Sequence, residues 1–111
     1  MKVKAIFDGA RKALNDGRER RWPDVDFLVH YRTYLLESRR TRPDLWIGRL
    51  TTDPVDGMDD VSVVREMDFA LDPIYASSCQ DYIVGRCLIK NTDAAELEKA
   101  KAFLQLSGMN E

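Results

Sequence analysis

A mainly α-helical domain, bundle-like with four helices and a long irregular arm between the second and the third, is the fold class the sequence predicts. Three observations predict it. Apolar residues recur at spacings of three and four in four separate segments. Pro, Asp and Gly stand at the ends of those segments, where helices start and stop. Between the second and third segments, residues 44–72 lose that period and collect turn signals instead.

The first helix is expected over residues 3–15, where Ile6, Ala10, Ala13 and Leu14 share a face and Asp16-Gly17 supplies the stop. Trp22-Pro23-Asp24 opens the second, which runs to about Arg40. Proline suits the first turn because its φ is already fixed near the helical value, and Asp24 and Asp26 favour the positive end of the helix dipole. With Pro23 at the cap, Trp22 and Phe27 occupy the positions of a hydrophobic staple. Leu28, Tyr31, Leu35 and either Tyr34 or Ser38 form its inner stripe, flanked by Phe27 and Val29. Arg39 and Arg40 complement its negative end, and Pro43 stops it.

The following stretch, about 44–72, reads as a projecting arm. Segments 46–50 and 61–67 are rich enough in apolar and β-branched residues to be extended and to pair as a small β-hairpin across an acidic loop. A third helix is expected from Asp72-Pro73 to about Lys90, with Tyr75, Cys79, Tyr82, Ile83 and Ile89 on one arc. A fourth begins at Asp93, which stands in capping-box spacing with Glu96, and buries Leu97, Ala100, Phe103 and Leu104 before Ser107-Gly108. The connection at 91–93 is so short that the last two helices form an antiparallel hairpin.

The chain has 111 residues, enough for one domain with one core, so 1–111 is read as a single unit. Apolar residues at 44% and charged residues at 32% are the balance of a folded globular protein rather than of a disordered tail. No run approaches the roughly 20 apolar residues of a membrane span, and the first ten residues lack a secretory apolar stretch, so no membrane and an intracellular origin are expected. Residues 1–50 hold 12 Lys/Arg against 7 Asp/Glu and residues 51–111 hold 5 against 12, so the halves stand at +5 and -7. That asymmetry suits head-to-tail association of copies and equally suits pairing within one chain.

Residue types that carry catalysis are sparse. The single histidine, His30, has no Ser, Cys or carboxylate at triad-like spacing and is read as structural. Cys79 and Cys87 are eight residues apart on one expected helix, roughly 12 Å along its axis, too far for a disulfide and without a CxxC or Cys/His pattern. Asp53, Asp56, Asp59 and Asp60 miss the alternating ligands and closing glutamate of a calcium loop, and no glycine pattern cradles phosphate. Neither an enzyme nor a cofactor is expected.

Charge-bearing candidates for contact are clearer. Arg18, Arg20 and Arg21 precede the second helix, and Arg39, Arg40 and Arg42 close it, roughly 25 Å away by helical rise. Both clusters could neutralise phosphates, which keeps a small helical nucleic-acid-binding regulator open as an alternative. Arg86 lies inside the apolar arc of the third helix, where a cation either snorkels outward or meets a carboxylate from elsewhere.

The order of three motifs then carries a resemblance. Trp22-Pro23-Asp24 before a long helix, Arg42-Pro43-Asp44 after it, and Tyr82-Ile83, Arg86 and Leu88 ahead of the polar turn Asn91-Thr92-Asp93 follow one another across almost the whole chain. In this the sequence resembles the helical head-to-tail adaptor (connector) proteins of tailed bacteriophages, the short-tailed kind especially, with Pro23 where that family usually has Ser or Thr. The resemblance implies a virion protein at the capsid-tail junction, assembled from host cytoplasm into a homo-oligomeric ring, typically a dodecamer. Such a ring binds the portal protein on one side and tail or nozzle proteins on the other, and double-stranded DNA passes through it without sequence recognition. Candidate subunit or portal contacts are Arg39, Arg40 and Arg42, facing a neighbour's Asp53, Asp56, Asp59 and Asp60, together with Arg86. A helical protein-binding module of another kind is the third reading.

Overall fold

A computed structural model of the chain describes residues 1–14, 22–47, 55, 57–89 and 94–107, with side chains from residue 97 onward in the last segment. Its helices are α1 (Val3–Ala13), α2 (Asp24–Thr41), α3 (Val61–Glu66), α4 (Ala76–Leu88) and α5 (Ala94–Ser107), with short 3-10 turns at Pro43–Trp46 and Pro73–Tyr75. The mainly helical, bundle-like fold expected from periodicity is the fold observed. Among the described residues no helix is long and apolar enough to cross a membrane.

α4 is the centre of the bundle. Cys79, Ile83, Val84 and Cys87 are fully buried, and Ala76, Tyr82, Gly85 and Leu88 are nearly so, because α1, α2 and α5 all pack around this helix. Gly85 is what lets α5 approach so closely. A Cβ there would stand 2.8 Å from Leu104 Cγ and 3.1 Å from the Ala100 carbonyl oxygen. Gly85 facing Ala100 and Leu104, and Ser78 bonded to Ser107, make α4 and α5 the antiparallel hairpin that the short connection requires.

α2 lies along α4 in the opposite sense. Trp22, just before the Pro23 cap, donates its indole N–H to the Cys87 carbonyl at 3.2 Å, and Tyr34 donates to Ser78 Oγ at 3.1 Å. The inner stripe of α2 holds Phe27, Leu28, Tyr31, Tyr34 and Leu35 as read from the sequence, with both Tyr34 and Ser38 inside rather than one of them, but Val29, expected to flank it, faces outward and is exposed. Phe7 of α1 stands edge-on to Phe27 and to Tyr31, each at 5.9 Å between ring centres, an arrangement that the ring quadrupoles favour.

The expected arm is where sequence and structure part. Residues 61–66 are a helix, not a strand, and Trp46 closes a 3-10 turn, so the possible hairpin between 46–50 and 61–67 does not form. Two physical causes are visible. Asp60 caps α3 by accepting from the Ser62 backbone N–H at 3.0 Å, and Arg65 bonds to carboxylates on α1 and α2, which a strand would not present. Nor do the described parts of the stretch project. Leu45, Trp46, Met58, Val64, Phe69 and Leu71 are buried in the same core cluster as the helices. Trp46 is held by its indole N–H to Ser38 Oγ at 3.1 Å, and residues 67–69 bond to the start of the chain, Val3 N–H to the Met67 carbonyl and Phe69 N–H to that of Met1. Asp53, Asp56, Arg18, Arg20, Arg21 and Asp93 lie outside the described residues.

Candidate assembly interface

The cationic cluster sits at the carboxy-terminal end of α2, as expected. Arg40 pairs with Glu37 at 2.6 Å and Arg42 with Asp44 at 3.2 Å, both exposed and both within their own segment. The Asp44 carboxyl is held below the usual carboxylate range by that guanidinium. Such solvent-exposed pairs contribute little, because water and salt screen them. Arg39 is half-buried, and its Nη1 has no hydrogen-bond acceptor among the described residues.

Asp59 and Asp60 are exposed at the start of α3. Asp60 accepts from both the N–H and the hydroxyl of Ser62, and these bonds hold its carboxyl below the usual range. The structure does not bring these acids to the cations of the same chain. Arg65 of α3 reaches Asp24, the first residue of α2, and Arg39 lies fifteen residues further on, about 22 Å along the axis. α3 therefore flanks the beginning of α2 and the arginines cluster at its end.

Arg86 resolves its conflict on the apolar arc by lying over the Tyr82 ring, with the guanidinium carbon 5.9 Å from the ring centre. Its Nε is out of solvent and has no hydrogen-bond acceptor among the described residues. Asp81 next to Tyr82 is half-buried, and burial pushes its carboxyl up.

Two features escaped sequence reasoning. The first is a buried ionic chain. Arg11, almost fully buried, donates to the Trp22 carbonyl at 2.8 Å, bonds to Asp24 Oδ1, and lies 4.5 Å from the centre of the Phe27 ring. Asp24 Oδ2 accepts from Arg65 at 2.9 Å, and Arg65 continues to Asp8 at 3.2 Å. The signal was present, since Phe7, Ala10, Arg11 and Leu14 share one helical face. The second is the outward face of α2. Val25, Val29 and Leu36 recur at four and seven residues, directly opposite the core stripe, and stand 54%, 52% and 48% exposed. Arg32 and Arg40 fall on the same outward arc. α2 is thus apolar on both sides, inside and outside.

No family model, no curated protein and no solved structure matches the chain.

Proposed function

We propose that this chain is a structural subunit of a phage virion, a head-to-tail adaptor that closes into a ring beneath the portal, joins it to the tail and leaves a channel for the genome. One observation carries the reading. The three motifs of the resemblance fall on the elements it requires: Trp22-Pro23-Asp24 opens α2, Arg42-Pro43-Asp44 closes it, and Tyr82, Arg86 and Leu88 lie on α4 of the terminal hairpin.

Two physical features favour it. Complementary charge at the two ends of a long helix supports head-to-tail contacts, which form a ring when the rotation between copies closes. The outward face of α2 supports protein association over reading of DNA, because a helix that enters a groove presents polar and cationic side chains, whereas this one presents Val25, Val29 and Leu36.

Mass photometry of the chain with and without the portal protein of its phage, followed by electron microscopy of the complex, tests the reading. The expected result is a monomer or weak oligomer alone and a ring on the portal. A portal-independent dimer that shifts duplex DNA with steep salt dependence would replace it with the regulator reading.

A further inference from the structure

Among the described residues, α5 is the one long helix attached to the bundle on a single side. It lies against α4 and packs comparably closely on no other helix. Its hold on α4 is one seam. Ala100, Leu104 and Ser107, at helical spacings of four and three, meet Gly85 and Ser78, which stand seven residues apart on one side of α4. Even when docked there, α5 is poorly covered. Ala100 and Ser107 are buried, but Leu97, Phe103 and Leu104 are only half-buried and Leu106 is 69% exposed. The Phe7, Phe27 and Tyr31 rings and the Arg11–Asp24–Arg65 chain all lie outside α5, so these contacts survive its departure. A peripheral, thinly covered element of this kind opens at a lower free energy than the core.

We infer that α5 is exchanged between copies, so that in the assembled ring α5 of one chain lies on α4 of the next, along the same seam it occupies in the single chain. This rests on the ring reading and gives it a subunit contact. Identity, not charge, chooses the occupant. An opened α4 uncovers the cleft at Gly85, where the absent side chain admits Ala100 and Leu104. A released α5 is a 14-residue helix, about the length at which isolated helices are marginal in water. The α5 of a second copy covers both at once, because it carries the same side chains at the same spacing. The link between the helices is long enough. Residues 89–93 separate Leu88 from Ala94, and a segment of that length reaches at most roughly 20 Å, about two helix diameters. The contact is heterologous, since each chain gives one α5 and receives one, and a closed ring leaves none over. In a single chain the tether holds α5 at an effective concentration on the order of millimolar, so the internal contact wins in dilute solution and keeps the cleft closed to other copies. Copies gathered side by side on a portal reach that concentration, and exchange takes place there.

A full-length chain carrying both Gly85→Cys and Leu104→Cys tests the connection. A Cβ at position 85 stands 2.8 Å from Leu104 Cγ, the place of the sulfur in Leu104→Cys, which is within reach of a disulfide. Cys79 and Cys87 are buried, and burial pushes the Cys79 thiol well up, so neither competes. Circular dichroism and urea melting verify that the reduced variant folds like the wild type. Oxidised in dilute solution, the variant is expected to run as a monomer on denaturing, non-reducing gels, and this locked chain is expected to form no rings on the portal until reductant is added. Oxidised after assembly on the portal, it is expected to give covalent multimers. Monomers alone after that second oxidation, or a locked chain that assembles as well as the reduced one, overturn the inference and leave the adaptor reading standing. If the reduced variant and the wild type both ignore the portal, the adaptor reading falls, and oxidation of the free variant at millimolar concentration decides the exchange: covalent multimers uphold it and monomers overturn it. A second readout needs no substitution and covers a variant that fails to fold. Electron microscopy of the wild-type ring is expected to trace α5 on each α4 back to the neighbouring chain, and a trace back to the same chain overturns the inference.

Discussion

Replacing Arg11 by Met is expected to cost this domain about 3 kcal/mol. The substitution keeps the apolar stem and removes the guanidinium, so the loss is polar. The Trp22 carbonyl, buried with its residue, loses a charged donor at 2.8 Å, which costs roughly 1.5–3 kcal/mol. Asp24 loses one of two arginines, but Oδ2 keeps Arg65 at 2.9 Å, so the penalty stays at the low end of the roughly 3–5 kcal/mol for breaking a buried pair. The cation over Phe27 adds a fraction more. These terms overlap on the same few atoms and do not add in full. The resulting ~3 kcal/mol corresponds to roughly 12 °C in Tm for a domain of this size. The assay is urea unfolding followed by tryptophan fluorescence, for which Trp22 and Trp46, both buried, are natural probes. Lys101→Met is the control, because its pair with Glu98 is exposed at both ends and its removal should stay within about 0.5 kcal/mol. An Arg11→Met loss no larger than that of Lys101→Met would refute the claim that the ionic chain ties α1, α2 and α3 together.

Gly85→Val should destabilise by about 2–3 kcal/mol in the same assay, since its β-branched side chain meets Leu104 and the Ala100 backbone, and unchanged stability would mean α5 is not seated there. Asp81→Asn should be more stable than the wild type at pH 7. Burial raises this carboxyl, so its penalty is full above the raised value and vanishes as the pH falls below the ordinary 3.8, and the difference between the two melting curves should close there. In alkali the sign is the same, with stability again falling as the pH rises. Burial pushes Tyr34 up to about 12 and Tyr31 higher still, so above the ordinary 10.0 the unfolded chain releases protons that the folded one retains, and stability should fall as the pH rises. Ultraviolet titration should show these two phenols ionising with unfolding rather than before it.

What the sequence made legible was local. The Pro23 cap, the terminating Arg42-Pro43 and the spacing of Leu28, Tyr31 and Leu35 determine α2 almost to the residue, because each signal acts within a turn or two of itself. α3 was illegible for the opposite reason. Six residues are too few to display a helical period, Val61-Ser62-Val63-Val64 has the β-branched composition of a strand, and its holding contacts come from Asp8, Asp24 and the first residues of the chain, all far away in sequence. Arg11 shows the same limit on the site. Its place on an inner helical face could be read, but the Asp24 carboxylate and the Trp22 carbonyl that make it tolerable there arrive only through the fold.

The halves of +5 and -7 can now be divided between folding and association. Inside the domain Lys4 meets Glu66, a pair that consumes some of the opposition, whereas Arg65 meets Asp8 and Asp24, the minority charge of each half, and leaves the opposition in place. Arg40 and Arg42 at the end of α2 and Asp59 and Asp60 at the start of α3 are exposed, and among the described residues they do not pair with one another. Ionic strength separates the two uses. Mobile ions screen exposed charges beyond about 10 Å at 0.1 M and about 3 Å at 1 M, and reach the shielded Arg11–Asp24 pair far less. Raising salt should therefore weaken association of the wild type steeply while moving the urea midpoint of the isolated domain little. If folding and association weaken in parallel, the surface charges are holding the domain itself together, and the division of charge between folding and association is wrong.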